Sequence, residues 1–580
     1  MASLPSFRRR FGDGEDAFTV IGGGALGGKA SGLALIREQI LGRLAAADMP
    51  EIAVGVPPLT VLSTDVFDRF LAENGLHALI AEAPPDERLA LAFQQAALPA
   101  AFAGDLRALA ELVHQPLALR SSSLLEDALR HPFAGVYGTK MIPGHQVDAA
   151  ARFRQLAEGI KLVWASTFFS QARRYAARVG ADPLSEKMAV VIQAVVGERH
   201  GERFYPTISG VARSHNHYPF GHGRAADGVV SLALGLGCQI VGGGRTWSYS
   251  PAYPASPQPF NNLGDLLGNT QTGFWAVNMG RAPLPDPLRE TEYLLNDELE
   301  VAEADGQLGL TASTFDGESG HLRPGIAASG PRVLDFAPIL RHGGLPLNDL
   351  LRRLLAISRE VLAAEVEIEF ALALDPKRRA PARFGFLQVR PMLVGGERVS
   401  VEDADFARPD LLLASETALG NGRVEGIRDI VYLKPEAFDT ARTRQMAAEL
   451  EVVNRRLTAE ERPYLLIGFG RWGTSDEWLG VPVDWAQIGG ARVIVEATLP
   501  DVAPDMSQGS HFFHNLISFE VKYLFVPHGA SPAIAWEWLD ARPAVAETAF
   551  LRWVRTESPL GIKVDGTSGK AVVIRDGREE

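Results

Sequence analysis

The sequence contains little that would tie the protein to an oxidising compartment or to a membrane. Only one of its 580 residues is a cysteine, Cys238, which excludes an intrachain disulfide and any cluster of cysteine metal ligands. No stretch of about 18 apolar residues occurs, so no membrane-spanning segment is expected. The arginines at positions 8–10 are not followed by an apolar segment, so no secretory signal is expected either. We therefore predict a soluble, cytoplasmic protein.

Positive charge is also in deficit. The 57 lysines and arginines are outnumbered by 70 aspartates and glutamates, and the net charge is −13. An acidic chain disfavours a general nucleic-acid coat, so we expect no nucleic-acid partner. The composition, 46% hydrophobic and 22% charged, is ordinary for globular proteins, and the length fits two to four domains.

The most informative segment follows an apolar run at residues 116–119. Arg120 is followed by three serines, then by Glu126 and Asp127, and then by a loop that contains Gly135 and Thr139. A planar guanidinium grips phosphate oxygens in pairs, and glycines let the backbone approach a ligand closely. The combination suits a polyphosphate, although an Arg-Ser-Ser turn is also found as a capped loop without a ligand.

A glycine-rich stretch near the N-terminus lies between a predicted strand at 18–21 and a helical pattern. Residues 22–27 satisfy G-x-G-x-x-G, which is typical of a dinucleotide fold, and residues 23–29 satisfy the phosphate-loop pattern G-x-x-x-x-G-K. Ala30 stands where a phosphate loop needs a hydroxyl for magnesium. A third register begins at Gly27-Gly28-Lys29, with the lysine at the start of the helix. The residues alone leave the three readings open.

Further along, Glu367 and Glu369 alternate with apolar residues. Side chains two apart on a strand share a face. Neighbouring carboxylates repel each other unless a positive group lies between them, and Mg²⁺ on ATP phosphates would fit because it prefers hard oxygen ligands. A solvent-facing acidic edge is the alternative. The next predicted strand carries Gln388 and ends in Arg390-Pro391.

These segments, in this order, resemble the nucleotide-binding domain of the pyruvate phosphate dikinase and phosphoenolpyruvate synthase family. The similar motifs are GGK-x-x-x-L at 27–33, RSS-x-x-ED with FAG from residue 120, the apolar strand 188–196, and the acidic and L-Q-x-R-P strands that end at residue 391. The resemblance implies an ATP-grasp-type region of two lobes over residues 1–395, which binds ATP and Mg²⁺.

The resemblance also implies roles for individual residues. Nucleotide binding falls on Lys29, Arg120, Gly135, Thr139, Gln193, Glu367, Gln388 and Arg390, and metal binding on Glu367 and Glu369. Arg120 and Arg390, together with His511, are the expected catalytic residues. One departure is evident, because residues 213–217 read Arg-Ser-His-Asn-His where the family usually has Thr-Arg-Asn-Pro.

A polar, acidic connector at 396–412 predicts a domain boundary. Residues 413–578 resemble the family's swivelling phosphohistidine domain in its opening strand at 420–424 and its closing hairpin at 564–572. The family's histidine signature is absent, and Ser510-His511 stands in its place. On this reading the neutral imidazole of His511 carries phosphate. A metal site with His514, three residues later, and a structural role are the alternatives.

The sequence thus predicts a multidomain α/β and α+β protein, in which an ATP-grasp-type nucleotide-binding region precedes a small swivelling β/α domain. The expected function is ATP-dependent phosphotransfer through His511 to an unidentified acceptor, either a small molecule or a protein. No segment resembles a pyruvate-binding barrel, so we do not expect a complete pyruvate dikinase. The alternatives are a non-catalytic ATP-binding regulator and, from the glycine loop alone, a Rossmann oxidoreductase.

Overall fold

The computed structural model describes most of the chain. The described residues are 4–12, 17–44, 49–123, 136–178, 182, 185–216, 223–242, 244–256, 266–267, 270–286, 288–326, 329–375, 379–392, 399–474, 478–502, 516, 519, 521–566 and 568–576. Gly135, His511 and His514, which the sequence places at functional sites, lie outside these ranges. Within them, none of the helices has the length and apolar character needed to cross a membrane.

The first sheet has five strands of mixed direction. In spatial order they are Phe18–Ile21, Leu59–Leu62, Met188–Ala194, Leu117–Ser123 and Thr139–Ile142. The first pair is parallel, and the other three pairs are antiparallel. A dinucleotide fold requires a mostly parallel, doubly wound sheet, so the structure does not support the Rossmann alternative.

Both faces of the first sheet are buried. Along its central strand, Val190 and Ile192 face one hydrophobic core, and Ala189 and Val191 face another, as expected for the uninterrupted apolar run in the sequence. The second core includes the helix Gly27–Leu35, which continues as a π-helical turn Ile36–Ile40 and a 3-10 turn Leu41–Arg43. The first core is built with the helices Thr64–Glu73, Leu76–Ala81, Asp86–Gln95, Ala100–Leu112, Ala149–Ser166 and Ser170–Arg178.

The second sheet has six strands. In spatial order they are Trp247–Tyr249, Val229–Ala233, Ile208–Arg213, Glu365–Ala373, Ala382–Met392 and Ile52–Gly55. All pairs are antiparallel except the last. The helix Leu347–Leu362 packs against this sheet with its leucine-rich face. The alternating acidic segment is therefore a strand, as predicted, and this helix precedes it in the chain.

Smaller elements complete this part of the chain. A four-stranded sheet contains Leu294–Glu298, Gly273–Asn278, Arg203–Tyr205 and Glu198–His200, and a three-stranded sheet contains His321–Pro324, Ser313–Asp316 and Arg332–Val333. The short helices are Ala225–Asp227, Cys238–Val241, Leu299–Ala304 and Ala337–Leu340.

The C-terminal part is built on a seven-stranded sheet whose four central strands are parallel. Its strands in spatial order are Thr417–Leu419, Lys522–Val526, Ala491–Ala497, Tyr464–Phe469, Asp429–Leu433, Leu551–Arg555 and Ala544–Glu547. The associated helices are Pro435–Ala437, Thr440–Arg442, Thr443–Ala459, Trp485–Ile488 and Trp536–Asp540. The three central strands that start at Asp429, Tyr464 and Ala491 each contain an uninterrupted apolar run.

A second C-terminal sheet contains the two segments that resemble the opening strand and the closing hairpin of a swivelling domain. Its strands are Leu411–Ser415, Lys570–Ile574, Gly561–Asp565 and Gly422–Val424, and a separate pair joins Arg471–Trp472 to Gly480–Val481. The opening strand pairs with the hairpin, Gly422 opposite Val564. Part of the connector packs here as the short helix Asp403–Phe406, because Asp403 and Asp405 form ion pairs with Lys570 and Lys563.

The start of the helix Gly27–Leu35 leads to a testable prediction. Gly27 has a φ of +77°, and a Cβ atom there would lie 1.9 Å from the carbonyl oxygen of Ser122. We expect Gly27→Ala to lower the free energy of unfolding by at least about 2 kcal/mol, since it combines a backbone clash with a left-handed conformation. Urea or thermal denaturation measures the change.

Gly23→Ala is the matched control, because a Cβ atom at Gly23 meets nothing within 4 Å. Equal stability of the two variants would contradict the assigned contact between this helix and the Ser122 strand.

Candidate functional site

A cavity of about 440 Å³ lies between the first and second sheets. We call it the inter-sheet cavity. On the first sheet, Arg120 lies opposite Thr139 and Val191, in the face that also contains Gln193. Six of the residues predicted from the sequence line the cavity: Lys29, Arg120, Thr139, Gln193, Glu369 and Gln388. Arg390 and Glu367 do not line it, but Arg390 contacts Glu369, which does, and Glu367 contacts Arg390.

Two motifs that lie about ninety residues apart in the chain, at Lys29 and at Ser121, are in direct contact. Lys29 is buried, and its Nζ donates a hydrogen bond to Ser121 Oγ at 3.2 Å. Next to it, the Ala30 amide donates to Ser122 Oγ at 3.1 Å, and that hydroxyl donates to the Leu26 carbonyl at 2.8 Å. Ser121 and Ser122 therefore hold the start of the helix Gly27–Leu35 against the first sheet.

Two other glycines of the N-terminal loop, Gly23 and Gly24, form hydrogen bonds to an acidic side chain. The amides of Gly23 and Gly24 donate to the carboxylate of Asp65 at 3.1 and 2.8 Å. Burial raises the pKa of Asp65, but hydrogen bonds from Ser63 and from these two amides outweigh burial, and the pKa lies below its usual value. Amides that a phosphate loop would offer to a ligand thus bind a protein carboxylate, which favours the third register with Lys29.

Arg120 bridges the two sheets. Its Nη1 donates to the Leu387 carbonyl at 2.9 Å, and its Nη2 donates to Gln388 Oε1 at 2.9 Å and to Glu369 Oε2 at 3.2 Å. All three acceptors belong to the second sheet, and the Arg120 side chain is only 14% exposed. The guanidinium is thus fixed by protein contacts at the boundary of the inter-sheet cavity.

The two predicted acidic residues share a face, and Arg390 contacts both. Arg390 Nε donates to Glu367 Oε1 at 2.8 Å, and its Nη2 lies 3.5 Å from Glu369 Oε1. On its other side, Glu367 accepts a hydrogen bond from Arg213 Nε at 2.6 Å. The positive group between the two carboxylates is therefore the guanidinium of Arg390, at the place where the sequence suggested a metal ion. Because arginines hold both oxygens of Glu367, its assignment as a metal ligand stays a prediction.

Glu369 fits a cation ligand better. It lines the inter-sheet cavity, and its buried Oε1 accepts no hydrogen bond from any residue that the structure describes. A hard cation such as Mg²⁺ takes six oxygen ligands. No group of three or more His, Cys, Asp or Glu side chains converges on a metal site within the described ranges. Phosphate and water oxygens would therefore have to complete the coordination of an ion at Glu369.

Much of the remaining lining of the inter-sheet cavity is apolar. The glycine-rich stretch that begins at Gly235 contributes Leu236, Ile240 and Val241. The other large apolar lining residues are Met141, Val195, Val196, Leu294, Phe370 and Leu387. Gln193 is buried beside them, and its Nε2 has no hydrogen-bond acceptor among the described residues. An apolar pocket with few polar groups suits a planar base, and the cationic side chains suit phosphates.

Glu290 and Cys238 also line the cavity but were not predicted as site residues. Glu290 lies beside Thr139, whose amide hydrogen-bonds to it, and burial raises the pKa of the Glu290 carboxyl. No motif around Glu290 signals this position. Cys238 also lines the cavity, and burial raises the pKa of its thiol to about 12. That value keeps the thiol protonated near neutral pH, so it is a poor nucleophile.

A second cavity, of about 520 Å³, lies on the other side of the strand Thr139–Ile142. Its lining includes Lys140, which forms a buried ion pair with Glu292, and Glu158, whose pKa is raised by burial and by Glu292. It contains none of the residues predicted from the sequence, and we do not assign it to the same site.

The comparison with protein families agrees with this placement of the motifs. The family described as pyruvate phosphate dikinase, AMP/ATP-binding domain, matches residues 24–408. That span includes every residue that lines the inter-sheet cavity. No curated protein matches the chain.

Replacing Arg120 by Ala tests the site. The variant loses a cation that the structure places at the cavity wall, and one charge-assisted hydrogen bond to phosphate is worth about 1.5–3 kcal/mol. We expect the affinity for Mg-ATP, measured by calorimetry, to fall by that amount. Arg332→Ala is the control, since Arg332 pairs with Glu303 and does not line the cavity. Unchanged ATP affinity in Arg120→Ala would remove Arg120 from the site, and preferential binding of NAD would revive the dinucleotide alternative.

Proposed function

Because the chain belongs to the family of the pyruvate phosphate dikinase AMP/ATP-binding domain, we propose that it is an ATP-dependent phosphotransferase of the dikinase type. The observation that carries the proposal is the inter-sheet cavity, which combines an apolar lining with Lys29, Arg120 and Glu369. These residues come from segments far apart in the chain. Their convergence supports a nucleotide site within this ATP-grasp-like domain.

In the proposed complex, the base occupies the apolar part of the cavity, where Gln193 Nε2 offers a donor. The phosphates lie toward Lys29 and Arg120, with Gln388 and Arg390 completing the site. Thr139, at the start of a strand of the first sheet, lines the cavity, and the family resemblance implies that Gly135 belongs to a loop that closes over the phosphates. Positioned cations catalyse phosphoryl transfer mainly by stabilising the charge that develops on the transferred group. Arg120 and Arg390 already have fixed orientations, so they need little reorganisation to do so.

We assign the divalent cation, Mg²⁺, to the carboxylate of Glu369, with Glu367 as the second acidic residue of the pair. The ion would neutralise phosphate charge and orient the phosphates. Glu367 holds Arg390 and Arg213 in place, so its contribution to a metal site would pass through the position of Arg390.

The proposed reaction passes phosphate through His511. An imidazole nitrogen attacks the β-phosphorus of ATP, and the bond between that phosphorus and the bridging oxygen of AMP breaks. Water releases the γ-phosphate as inorganic phosphate, and the remaining phosphoryl group moves from His511 to an acceptor, either a small molecule or a protein. The products are AMP, phosphate and the phosphorylated acceptor. His511 lies outside the described residues, so the support for this step is the Ser510-His511 pair in the sequence.

The proposed domains are a two-lobed nucleotide-binding region over 1–395, a linker at 396–412 and a swivelling domain over 413–578. The pairing of Gly422–Val424 with the hairpin that ends at Ile574 supports the last assignment. The described contacts between the two parts include the ion pair of Arg174 with Asp484 and the ring contact of Tyr175 with Phe519. Movement of the proposed swivelling domain during turnover would have to break these contacts.

A second candidate function is an ATP-binding regulator that transfers no phosphate. The observation that favours it is the absence of the family's complete histidine signature around His511. Incubation with β-labelled and γ-labelled ATP separates the two functions. A phosphotransferase produces AMP and acid-labile label from the β-position, whereas a regulator produces neither.

Glu369→Gln tests the role of the cation. The substitution keeps the shape of the side chain but removes its charge, so we expect turnover to fall sharply and the dependence on magnesium concentration to shift upward. Circular dichroism should show an intact fold. Glu303→Gln, outside the cavity, serves as the control. If wild type and Glu369→Gln respond identically to magnesium, Glu369 is not a ligand.

His511→Asn tests the relay. The variant should bind ATP normally, because its change lies outside the family-matched span, but it should neither accept label nor pass it on. His514→Asn should still be labelled. A phosphoramidate is stable in base and lost in acid, which identifies the product. Labelling of His511→Asn at the level of wild type would refute the relay, and an absence of label in wild type would favour the regulator.

A further inference from the structure

The second cavity is separate from the inter-sheet cavity, although the two cavities share a wall. Along the strand Thr139–Ile142, Thr139 and Met141 line the inter-sheet cavity, whereas Lys140 lines the second cavity. This alternation arises because neighbouring side chains of a strand point to opposite faces. Among the described residues, none lines both cavities. A ligand in the second cavity would therefore occupy a site of its own.

The helix Ala149–Ser166 presents one face to the second cavity. On this face, Lys161 Nζ donates a hydrogen bond to the Gln94 carbonyl at 3.0 Å, and the Gln94 side-chain amide donates to the Glu158 carbonyl at 3.0 Å. These bonds join two helices, so the protein itself holds this side of the cavity in place. The lining residues recur at spacings of three and four, as on one side of a helix. They include Phe153, Arg154, Ala157, Glu158, Lys161 and Leu162.

Two opposite charges on this face lack an ionic partner. Glu158 and Lys161 are both partly buried and lie about one turn apart, yet neither forms an ion pair within 4.0 Å among the described residues. Burial raises the pKa of the Glu158 carboxyl, to which the charge of Glu292 adds, and burial lowers the pKa of the Lys161 ammonium. Their mutual attraction opposes both shifts but is smaller than the effect of burial. Each side chain would therefore be stabilised by a partner of opposite charge.

The other charged residues of the second cavity are compensated or exposed. Lys140 and Glu292 form a buried ion pair with each other. Arg107, Arg154 and Asp286 are exposed, so water and salt screen their charges. The cavity thus combines an unpaired carboxylate and an unpaired ammonium group with a mainly apolar wall. The larger apolar lining residues are Leu91, Leu98, Phe153, Leu162 and Tyr293.

We propose that the second cavity is a binding site for a free α-amino acid with an apolar side chain. The ammonium group of the ligand pairs with Glu158, its carboxylate pairs with Lys161, and its side chain packs against the apolar wall. Lys161 uses one of its three donors on the Gln94 carbonyl, so two remain for a carboxylate. A cavity of about 520 Å³ that is apolar apart from a few polar groups is typical of small-molecule sites. The site goes beyond the proposed function and does not depend on it, because it uses no residue of the inter-sheet cavity.

Calorimetric titration with three probes that share one apolar body tests the proposal. Phenylalanine has both charged groups, phenylpropionate lacks the ammonium group, and phenylethylamine lacks the carboxylate. We expect wild type to bind phenylalanine at least about tenfold more tightly than either of the other probes, the effect of one charge-assisted hydrogen bond. Leucine, a second apolar amino acid, should bind as well.

Two variants assign the charged groups of the ligand. Glu158→Gln should weaken the binding of phenylalanine and phenylethylamine about tenfold but leave phenylpropionate within about threefold of wild type. Lys161→Met should weaken phenylalanine and phenylpropionate by a similar factor and spare phenylethylamine. Each variant is the matched control for the other, since both residues lie on the same helical face. Circular dichroism checks folding, and Lys161→Gln replaces Lys161→Met if that variant does not fold.

Equal affinity of wild type for the three probes, or no binding of phenylalanine and leucine, would overturn the proposal. A uniform loss of all three probes in both variants would also overturn it, because it would show that Glu158 and Lys161 only maintain the cavity. Displacement of phenylalanine by ATP, or its loss in Arg120→Ala, would place the probe in the inter-sheet cavity and overturn the assignment. If phenylalanine binds as expected but ATP does not bind, the proposed function is refuted and this site is supported.

Discussion

The hydrogen bonds from Arg120 to the second sheet are the interaction on which the inter-sheet cavity depends. The guanidinium starts on a strand of the first sheet and reaches the Leu387 carbonyl, Gln388 and Glu369 on the other. A planar fork with several donors makes such a bridge possible, whereas a single ammonium group would not. Because these contacts hold the side chain in place, the cation faces the cavity in a fixed direction before any ligand arrives.

The same region predicts that residues of the site also contribute to the stability of the fold. Removing one partner from a buried group of charges leaves another without compensation, which is costly. Glu367 sits between Arg213 and Arg390, and Glu369 is shared by Arg120 and Arg390. The carboxylates thus orient the arginines, so a ligand would bind to groups that are already ordered.

The C-terminal part differs from the N-terminal part in its sheets. Parallel strands form the centre of its seven-stranded sheet, and a separate hairpin sheet contains Gly422–Val424 beside Gly561–Asp565. The connector contributes to this part through the ion pairs of Asp403 and Asp405. The matched family span includes the inter-sheet cavity and ends at residue 408, before His511. The proposed relay would require the two parts to move relative to one another, because His511 would have to serve two sites.

The sequence alone determined those parts of the site that lie within single elements. Lys29 at a helix start, Glu367 and Glu369 two apart on a strand, and Arg390 at the next strand each follow from local order and periodicity, which depend only on neighbouring residues. The tertiary structure decided which of these side chains face the cavity and which bind each other. It placed Arg390 between the two glutamates, joined Arg213 to Glu367, and brought Glu290 beside Thr139. Such pairings depend on strand register and on sheets packed face to face, and no local pattern encodes them because the residues lie up to 154 positions apart.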